Sequence, residues 1–242
     1  MTALSVASCT VAFGGLKAID DVTLDVPANT ITALIGPNGS GKSTFVNMVS
    51  GQIPPRSGDI RLGDAAITGM RPDLIVHRGL ARTYQVPRVP KELTIEEVIS
   101  VPLLYASSSQ PLPGAARDAS DLARYCGLRP ALTTRCGQLS VSDLRRLEIA
   151  RALACRPAVL LLDEAMAGLS LEDTEQVIGL VREIHASGVT VVVIEHVMRI
   201  IAQLCGHAIV LNQGRLLAQG APQDVLTNDS VREAYLGKGF KL

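Results

Sequence analysis

A glycine-rich segment with one lysine and two hydroxyl side chains is the part of this sequence best suited to chemistry. Its residues are Gly36, Pro37, Asn38, Gly39, Ser40, Gly41, Lys42, Ser43 and Thr44. It follows a strand-like apolar run and precedes a helix-like one, which is the context of a Walker A phosphate-binding loop. Glycines let backbone N–H groups curl around phosphates, and the helix start adds its positive dipole end. The segment therefore predicts binding of a nucleoside triphosphate, with Lys42 on the β- and γ-phosphates and Ser43 on Mg²⁺.

Two carboxylates end the apolar run 159–162. Ligands of parallel sheets lie at the carboxyl ends of strands, so Asp163 is expected to face the Mg²⁺ held by Ser43. Glu164 is then placed to polarise a water for attack on the γ-phosphate. Taken alone, the pattern fits a buried strand that ends in a solvated acidic turn equally well. The presence of the phosphate loop in the same chain favours a functional site.

A histidine and a glutamine complete the candidate site. His196 follows the apolar run 191–194 and Glu195, so we expect it at the same sheet edge, as a sensor of the γ-phosphate. Gln85 follows the strand-like run 80–84 and could ligate Mg²⁺ or the attacking water. Without further context, a polar linker residue explains Gln85 as well. The other histidines, at 77, 185 and 207, are expected to be ordinary surface residues.

The elements that must position these residues alternate between strand and helix. Short strands are predicted over residues 4–35, and helices over 94–105, 115–126, 140–154, 171–186 and 197–204. A helical lobe is expected at 87–138, with the serine-rich stretch 107–114 as a loop. The βαβ rhythm predicts an α/β fold with a largely parallel sheet.

Composition excludes several classes of protein. The 242 residues carry 23 Lys+Arg and 23 Asp+Glu, so no net field attracts nucleic acid or anionic lipid. The apolar runs are too short to span a membrane. The five cysteines show no metal-binding spacing and are expected to be reduced thiols in the cytoplasm.

The motifs together resemble an ATP-binding cassette (ABC) ATPase subunit over essentially the whole chain. The order that carries the resemblance is the phosphate loop, Gln85, Leu139-Ser140, Asp163-Glu164 and His196. The resemblance implies a single domain over 1–242. It has a P-loop NTPase (RecA-like) core with an antiparallel β-subdomain at 1–86 and 139–242, and a helical subdomain inserted at 87–138. It also implies a head-to-tail dimer that encloses two ATP molecules.

Family roles transfer residue by residue. Phe13 matches the aromatic that stacks on adenine, Gln85 the Q-loop residue and Asp163 the Walker B aspartate. Glu164 matches the catalytic glutamate and His196 the switch histidine. Strings at 13–16, 81–85, 146–153 and 233–237 are similar to the branched-chain amino acid and amide uptake group.

The sequence departs from the family at its signature. The usual Leu-Ser-Gly-Gly-Gln is Leu139-Ser140-Val141-Ser142-Asp143 here, and the usual D-loop aspartate is Ser170. Ser140 and Ser142 keep hydroxyls that can donate to a γ-phosphate bound by the other subunit. Val141 makes a left-handed backbone costly, and Asp143 brings a negative charge or caps its own helix. We therefore expect this chain to contribute competent Walker residues to one ATP site of the dimer and a weak signature to the other.

The resemblance implies an ATPase that energises an importer from the cytoplasmic face of the inner or plasma membrane, peripheral there and soluble when isolated. Its implied partners are membrane permease subunits, a second ABC ATPase subunit and, indirectly, a substrate-binding protein, with no nucleic acid. The altered signature favours a different rather than an identical ATPase partner. A regulatory or structural ATP switch outside transport is the alternative, and the sequence does not name a solute.

Overall fold

The computed structural model describes residues 1–106 and 110–236. The predicted loop residues 107–109 and Gly237 lie outside the described residues. The strands are β1 (Thr2–Phe13), β2 (Leu16–Pro27), β3 (Ile31–Ile35), β4 (Ser57–Leu62), β5 (Ala65–Ala66), β6 (Leu80–Arg82), β7 (Val159–Asp163), β8 (Thr190–Ile194), β9 (His207–Asn212) and β10 (Arg215–Gly220). The α-helices are α1 (Lys42–Val49), α2 (Pro72–His77), α3 (Ile95–Tyr105), α4 (Ala119–Tyr125), α5 (Val141–Ala154), α6 (Leu171–Ala186), α7 (Met198–Leu204), α8 (Pro222–Thr227) and α9 (Asp229–Leu236).

The chain forms two compact units. The first contains Met1–Ile75 and the chain from Thr190 onward, and the second contains Val76–Val189. The phosphate loop, Phe13 and His196 belong to the first unit. Gln85, Asp163, Glu164 and the altered signature belong to the second.

Two sheets build the first unit. One is antiparallel, in the order β2-β1-β4-β5. In the other, β3 lies between β8 and β9 and is parallel to both, while β10 is antiparallel to β9. All five residues of β3 and all five of β8 are buried, as expected for strands covered on both faces. The predicted parallel arrangement is therefore confirmed for these strands.

The expectation of short strands over residues 4–35 is correct for β3, which has five residues, but wrong for β1 and β2, which run for 12 residues each. The register of β1 against β2 shifts between Val6 and Cys9, and Ser8 has a φ of 49°. Such a bulge adds a residue to one strand and reverses the inward and outward alternation beyond it. The sequence pattern is broken there, but the strand continues.

In the second unit, β6 pairs in parallel with β7, and α3, α4 and α5 pack on one another. Helix α3 begins at a capping box between Thr94 and Glu97, and buries Ile95, Val98 and Ile99. Strand β7 is buried at every position and ends at Asp163, as the sequence predicts.

Several sequence expectations need correction. Helix α4 begins at Ala119 rather than at 115, because Asp118 caps it and Ala115 has a φ of 55°. His185 and His207 are partly buried rather than on the surface, and burial lowers the pKa of His207. Across residues 1–106 and 110–236, we find no helix that is both long and apolar enough to cross a membrane.

Candidate nucleotide site

The phosphate loop is packed so tightly that two of its positions require glycine. A Cβ atom on Gly36 would lie 2.1 Å from the carbonyl oxygen of Leu211, and one on Gly41 would lie 2.6 Å from that of Ala18. Both residues have positive φ, 150° and 104°, where side chains are disfavoured. The neighbouring strands β2 and β9 therefore fix the path of the loop.

The loop presents unsatisfied polar groups, as a phosphate site requires. Ser40 is 2 % exposed, and within the described part of the chain its Oγ atom has no hydrogen-bond partner. Helix α1 begins after Gly41, and no side chain caps its first N–H groups. Buried polar atoms without partners are rare in folded proteins, and an anion at a helix start would satisfy these. The residues present therefore fit a nucleotide phosphate.

Lys42 closes over the same loop. Its Nζ atom donates to the carbonyl oxygen of Gly36 at 2.7 Å and to that of Pro37 at 3.1 Å. The ammonium group is thus held at the loop that the sequence assigns to phosphates. Ser43, the first-turn residue assigned to Mg²⁺, is exposed.

Phe13 and His196 lie in the same unit as this loop. Strand β3 leads into the loop and pairs in parallel with β8, so the loop and His196 leave from the same edge of the sheet. His196 is exposed just past that edge. Phe13 ends β1 with 51 % of its surface exposed, so its side chain is accessible to a ligand.

Asp163 is held firmly at the end of β7. It is 8 % exposed, and its backbone N–H donates to the Thr83 hydroxyl at 3.0 Å. Its Oδ2 atom is 3.4 Å from Nη2 of Arg82, which gives the buried carboxylate a cationic neighbour. Sequence reasoning assigned no role to Arg82 or Thr83, although they lie three and two residues before Gln85.

Gln85 and Glu164 meet directly. Nε2 of Gln85 donates to Oε2 of Glu164 at 2.9 Å. Glu164 is partly buried and adopts a φ of 48°, an uncommon backbone for a residue with a side chain. From the sequence alone, Gln85 could be a ligand or a polar linker residue. In the structure its side-chain amide contacts Glu164, the carboxylate proposed to activate water.

The hydroxyl groups of the altered signature form hydrogen bonds with carboxylates of the same unit. Ser140 caps α5, since its Oγ atom accepts from the Asp143 N–H at 3.1 Å and donates to the Asp143 carboxylate at 2.6 Å. Ser142 donates to Oδ1 of Asp173 at 2.9 Å. Val141 is the first residue of α5 and does not have positive φ, so the expected cost of a left-handed backbone does not arise.

Asp173, which sequence reasoning did not single out, joins the signature to the D-loop position. Its second oxygen accepts from the Ser170 hydroxyl at 2.9 Å. Hydrogen bonds from Ser142 and Ser170 hold the pKa of Asp173 below its usual value, so the carboxylate stays ionised. The two departures from the family pattern, at 142 and 170, therefore share one partner.

A cluster of three or more His, Cys, Asp or Glu side chains arranged to hold a metal ion is absent from the residues that the structure describes. Mg²⁺ bound with a nucleotide takes several ligands from phosphates and water, and only one or two from carboxylates. Ser43 and Asp163, each taken within its own unit, offer oxygen atoms of the kind that a nucleotide-borne Mg²⁺ accepts.

Comparisons with known proteins identify the family. The sequence profile described as ABC transporter matches residues 19–167, and that described as branched-chain amino acid ATP-binding cassette transporter matches residues 215–241. The high-affinity branched-chain amino acid transport ATP-binding protein BraF of Pseudomonas aeruginosa is 35% identical, over 97% of this chain and 98% of its own. LivG of Escherichia coli, which bears the same description, is 34% identical over the same shares.

Solved structures confirm the predicted P-loop ATPase fold. A nucleotide-free ATP-binding cassette from an ABC transporter has a TM-score of 0.87 at 28% identity, covering 98% of this chain and 100% of that one. A cassette in its ADP conformation has a TM-score of 0.85 at 29% identity, with the same coverage. From its sequence relatives and its fold, this chain belongs to the ATP-binding, ATP-hydrolysing subunits of the ABC transporter family.

Proposed function

We propose that this chain energises an importer for branched-chain amino acids or related amides. It would act from the cytoplasmic face of the inner or plasma membrane. The observation that carries the proposal is its end-to-end similarity to BraF and LivG, which both bear branched-chain amino acid transport names. The match of the branched-chain profile to residues 215–241 supports the same group.

In this proposal, the loop from Gly36 to Thr44 binds the phosphates of ATP. Lys42 exchanges its bonds to the Gly36 and Pro37 carbonyls for the β- and γ-phosphates. The Ser40 hydroxyl, which has no partner in the described structure, donates to a phosphate oxygen. Phe13 stacks on the adenine through its exposed ring.

The proposed residues for Mg²⁺ are Ser43, Gln85 and Asp163, all of which offer oxygen ligands of the kind that this cation prefers. When bound, the cation neutralises charge on the β- and γ-phosphates. Asp163 supports the assignment because its backbone bond to Thr83 and its neighbour Arg82 fix the carboxylate at the strand end.

Glu164 is the proposed general base. It accepts a proton as the water oxygen bonds to the γ-phosphorus and the bond to the ADP oxygen breaks. Gln85 orients this carboxylate through the hydrogen bond between them, and His196 donates to the γ-phosphate. The unusual φ of Glu164 supports this role, because strained backbone is concentrated at functional sites.

We further propose a single ABC ATPase domain over 1–242 with a helical subdomain at 87–138. The packing of α3 against α4, both within these bounds, supports that subdomain. Its partners would be permease subunits, a substrate-binding protein and a second, different ATPase subunit. The different ATPase partner is favoured because both signature hydroxyls already bond to carboxylates of this chain.

The test of this function is purification from membranes followed by reconstitution. A tagged full chain should recover permease subunits and a second ATPase, and vesicles containing this complex should take up labelled leucine or an amide when ATP is supplied. Recovery without permeases, or with ATP turnover and no uptake of either solute class, would contradict it and favour the non-transport switch.

One prediction concerns coupling. Replacing Gln85 with alanine should lower the solute taken up per ATP by about fivefold or more, the scale of typical coupling free energies, while the Kd for ATP changes little. The reason is that Gln85 contacts Glu164 from the loop that opens the helical subdomain. Gln223→Ala, in the exposed part of α8, serves as the control and should change neither quantity. Uptake that stays proportional to turnover in Gln85→Ala would show that this residue does not couple.

A second prediction concerns the weak signature. Val141→Gly, Ser142→Gly and Asp143→Gln together remove the bonds to Asp173 and Ser140 and free backbone N–H groups for a phosphate. Steady-state ATPase of the assembled complex should rise by about three- to tenfold, the order of one recovered hydrogen bond of ordinary strength. The same measurement on a complex whose other site is disabled locates the gain. Unchanged rates in both complexes would mean that the signature is not weakened.

A further inference from the structure

Helix α5, which begins at the altered signature, also holds the loop that carries Gln85. Nη1 of Arg145 donates to the carbonyl oxygen of Tyr84 at 3.1 Å. The backbone N–H of Arg88 donates to Oε1 of Glu148 at 3.0 Å, and Arg151 donates to the Arg88 carbonyl. One helix therefore fixes the backbone on both sides of Gln85.

Glu148 is the centre of this arrangement. It is 1 % exposed, and burial raises the pKa of its carboxyl group, opposed by the hydrogen bond from the Arg88 amide. Nη2 of Arg151, one turn further along α5, lies 3.3 Å from Oε1 of Glu148. A buried carboxylate is costly unless it is paired and hydrogen-bonded, so the loop is stabilised where it supplies the Arg88 N–H.

Side chains of residues 82–88 add further contacts between α5 and the end of β7. The guanidinium groups of Arg82 and Arg88 both lie over the Tyr84 ring, 4.5 and 4.6 Å from its centre. Arg82 in turn neighbours Asp163, and Gln85 donates to Glu164. Contacts thus run without a break from α5 through the loop to both acidic residues at the end of β7.

We propose that Glu148 is a positioning residue for hydrolysis, which aims the Gln85 amide at Glu164 and links it to the signature end of α5. The inference rests on the proposed roles of Gln85 and Glu164. Glu148 itself touches neither nucleotide nor water in this scheme, so its effect passes entirely through residues 84–88. A contact at the signature that shifts α5 would then change the position of Gln85.

The first experiment measures the loop itself and needs no turnover. Hydrogen exchange in the full chain should be about tenfold faster at the Arg88 amide in Glu148→Ala than in the parent protein, since the acceptor is lost. Glu183→Gln, an exposed carboxylate of α6, is the control and should leave exchange at 84–88 unchanged. Unchanged exchange at Arg88 in Glu148→Ala would overturn the proposal, whatever the catalytic roles prove to be.

The second experiment measures the coupling in the complex with its co-purifying subunits. Glu148→Gln keeps an acceptor for Arg88 but loses the charge that faces Arg151. We expect kcat to fall about tenfold with the KM for ATP within twofold, as for a displaced catalytic group. In the Gln85→Ala background, the same change should have no further effect, because the two residues act as one unit.

The kinetic outcomes distinguish the positioning role of Glu148 from the catalytic role of Glu164. Additive losses in the double variant would show that Glu148 acts on general stability and would overturn its positioning role. If Glu164→Gln kept full hydrolysis while Arg88 exchange rose in Glu148→Ala, the proposed catalytic base would be wrong but the contact between α5 and the loop would stand.

Discussion

Glu164→Gln is expected to lower ATP hydrolysis by about 10²–10⁴-fold, the usual cost of losing a general base, with little change in ATP binding. The glutamine keeps an oxygen that can accept from Nε2 of Gln85, so the local arrangement survives. It cannot accept the proton of the attacking water at neutral pH. The loss therefore appears in kcat, because the missing interaction forms only in the transition state.

The measurement pairs steady-state hydrolysis with equilibrium binding of ATP to the same protein. Lys42→Ala should give the opposite result and weaken binding, because its ammonium group meets the phosphates in the ground state as well. Glu183→Gln controls for the loss of one carboxylate. Hydrolysis by Glu164→Gln at the parent rate would rule out Glu164 as the base.

The phosphate loop and the strand-end acids could be predicted from sequence because their signals are local. Strand, glycines and helix follow one another within residues 30–49, and an apolar strand leads straight into Asp163. Parallel pairing of β3 with β8 then follows from the βαβ rhythm, and it brings His196 to the edge where the loop begins. Each inference needs only neighbours along the chain and one rule of sheet topology.

The bond between Gln85 and Glu164 depends on residues 79 positions apart, so no window of sequence contains it. The same holds for Ser142 and Asp173, 31 positions apart, which decide how the altered signature is held. The substitutions are visible in the sequence, but the carboxylate that engages them is not. Family resemblance supplied a role for Gln85, and only the fold supplied its partner.

In helix α5, sequence periodicity fails to predict the burial of charged side chains. The apolar positions of the helix, Leu144, Leu147 and Ile149, predict a buried face. Leu147 and Ile149 are buried, whereas Leu144 is only partly buried. Its charged positions are expected in water, yet Arg145 and Glu148 are 7 % and 1 % exposed. Charges are rarely buried unless paired, and pairing here is with backbone groups of residues 84–88 that carry no sequence signal. A buried polar contact of this kind cannot be inferred from periodicity.

Gly36→Ala is expected to raise the Kd for ATP by about 10–100-fold, the equivalent of one lost hydrogen bond to a charged group. The added methyl group would lie 2.1 Å from the Leu211 carbonyl oxygen and 2.6 Å from the Ser40 hydroxyl, at a φ of 150°. A backbone carbonyl of β9 cannot yield as a flexible side chain can, so the loop must move. Its movement displaces Ser40 and the Gly36 carbonyl that holds Lys42.

The strain should also lower thermal stability, because a residue forced into a disfavoured backbone region costs about 1–3 kcal/mol. The matched control is Gly179→Ala in α6, where the new methyl group would meet no atom within 4 Å and φ is not positive. That change should preserve ATP affinity and raise Tm slightly, since alanine favours a helix over glycine by about 1 kcal/mol. Calorimetric binding and thermal unfolding of both variants test the argument. ATP affinity within twofold of the parent in Gly36→Ala would mean that the contact between the loop and β9 does not set the geometry of the phosphate site.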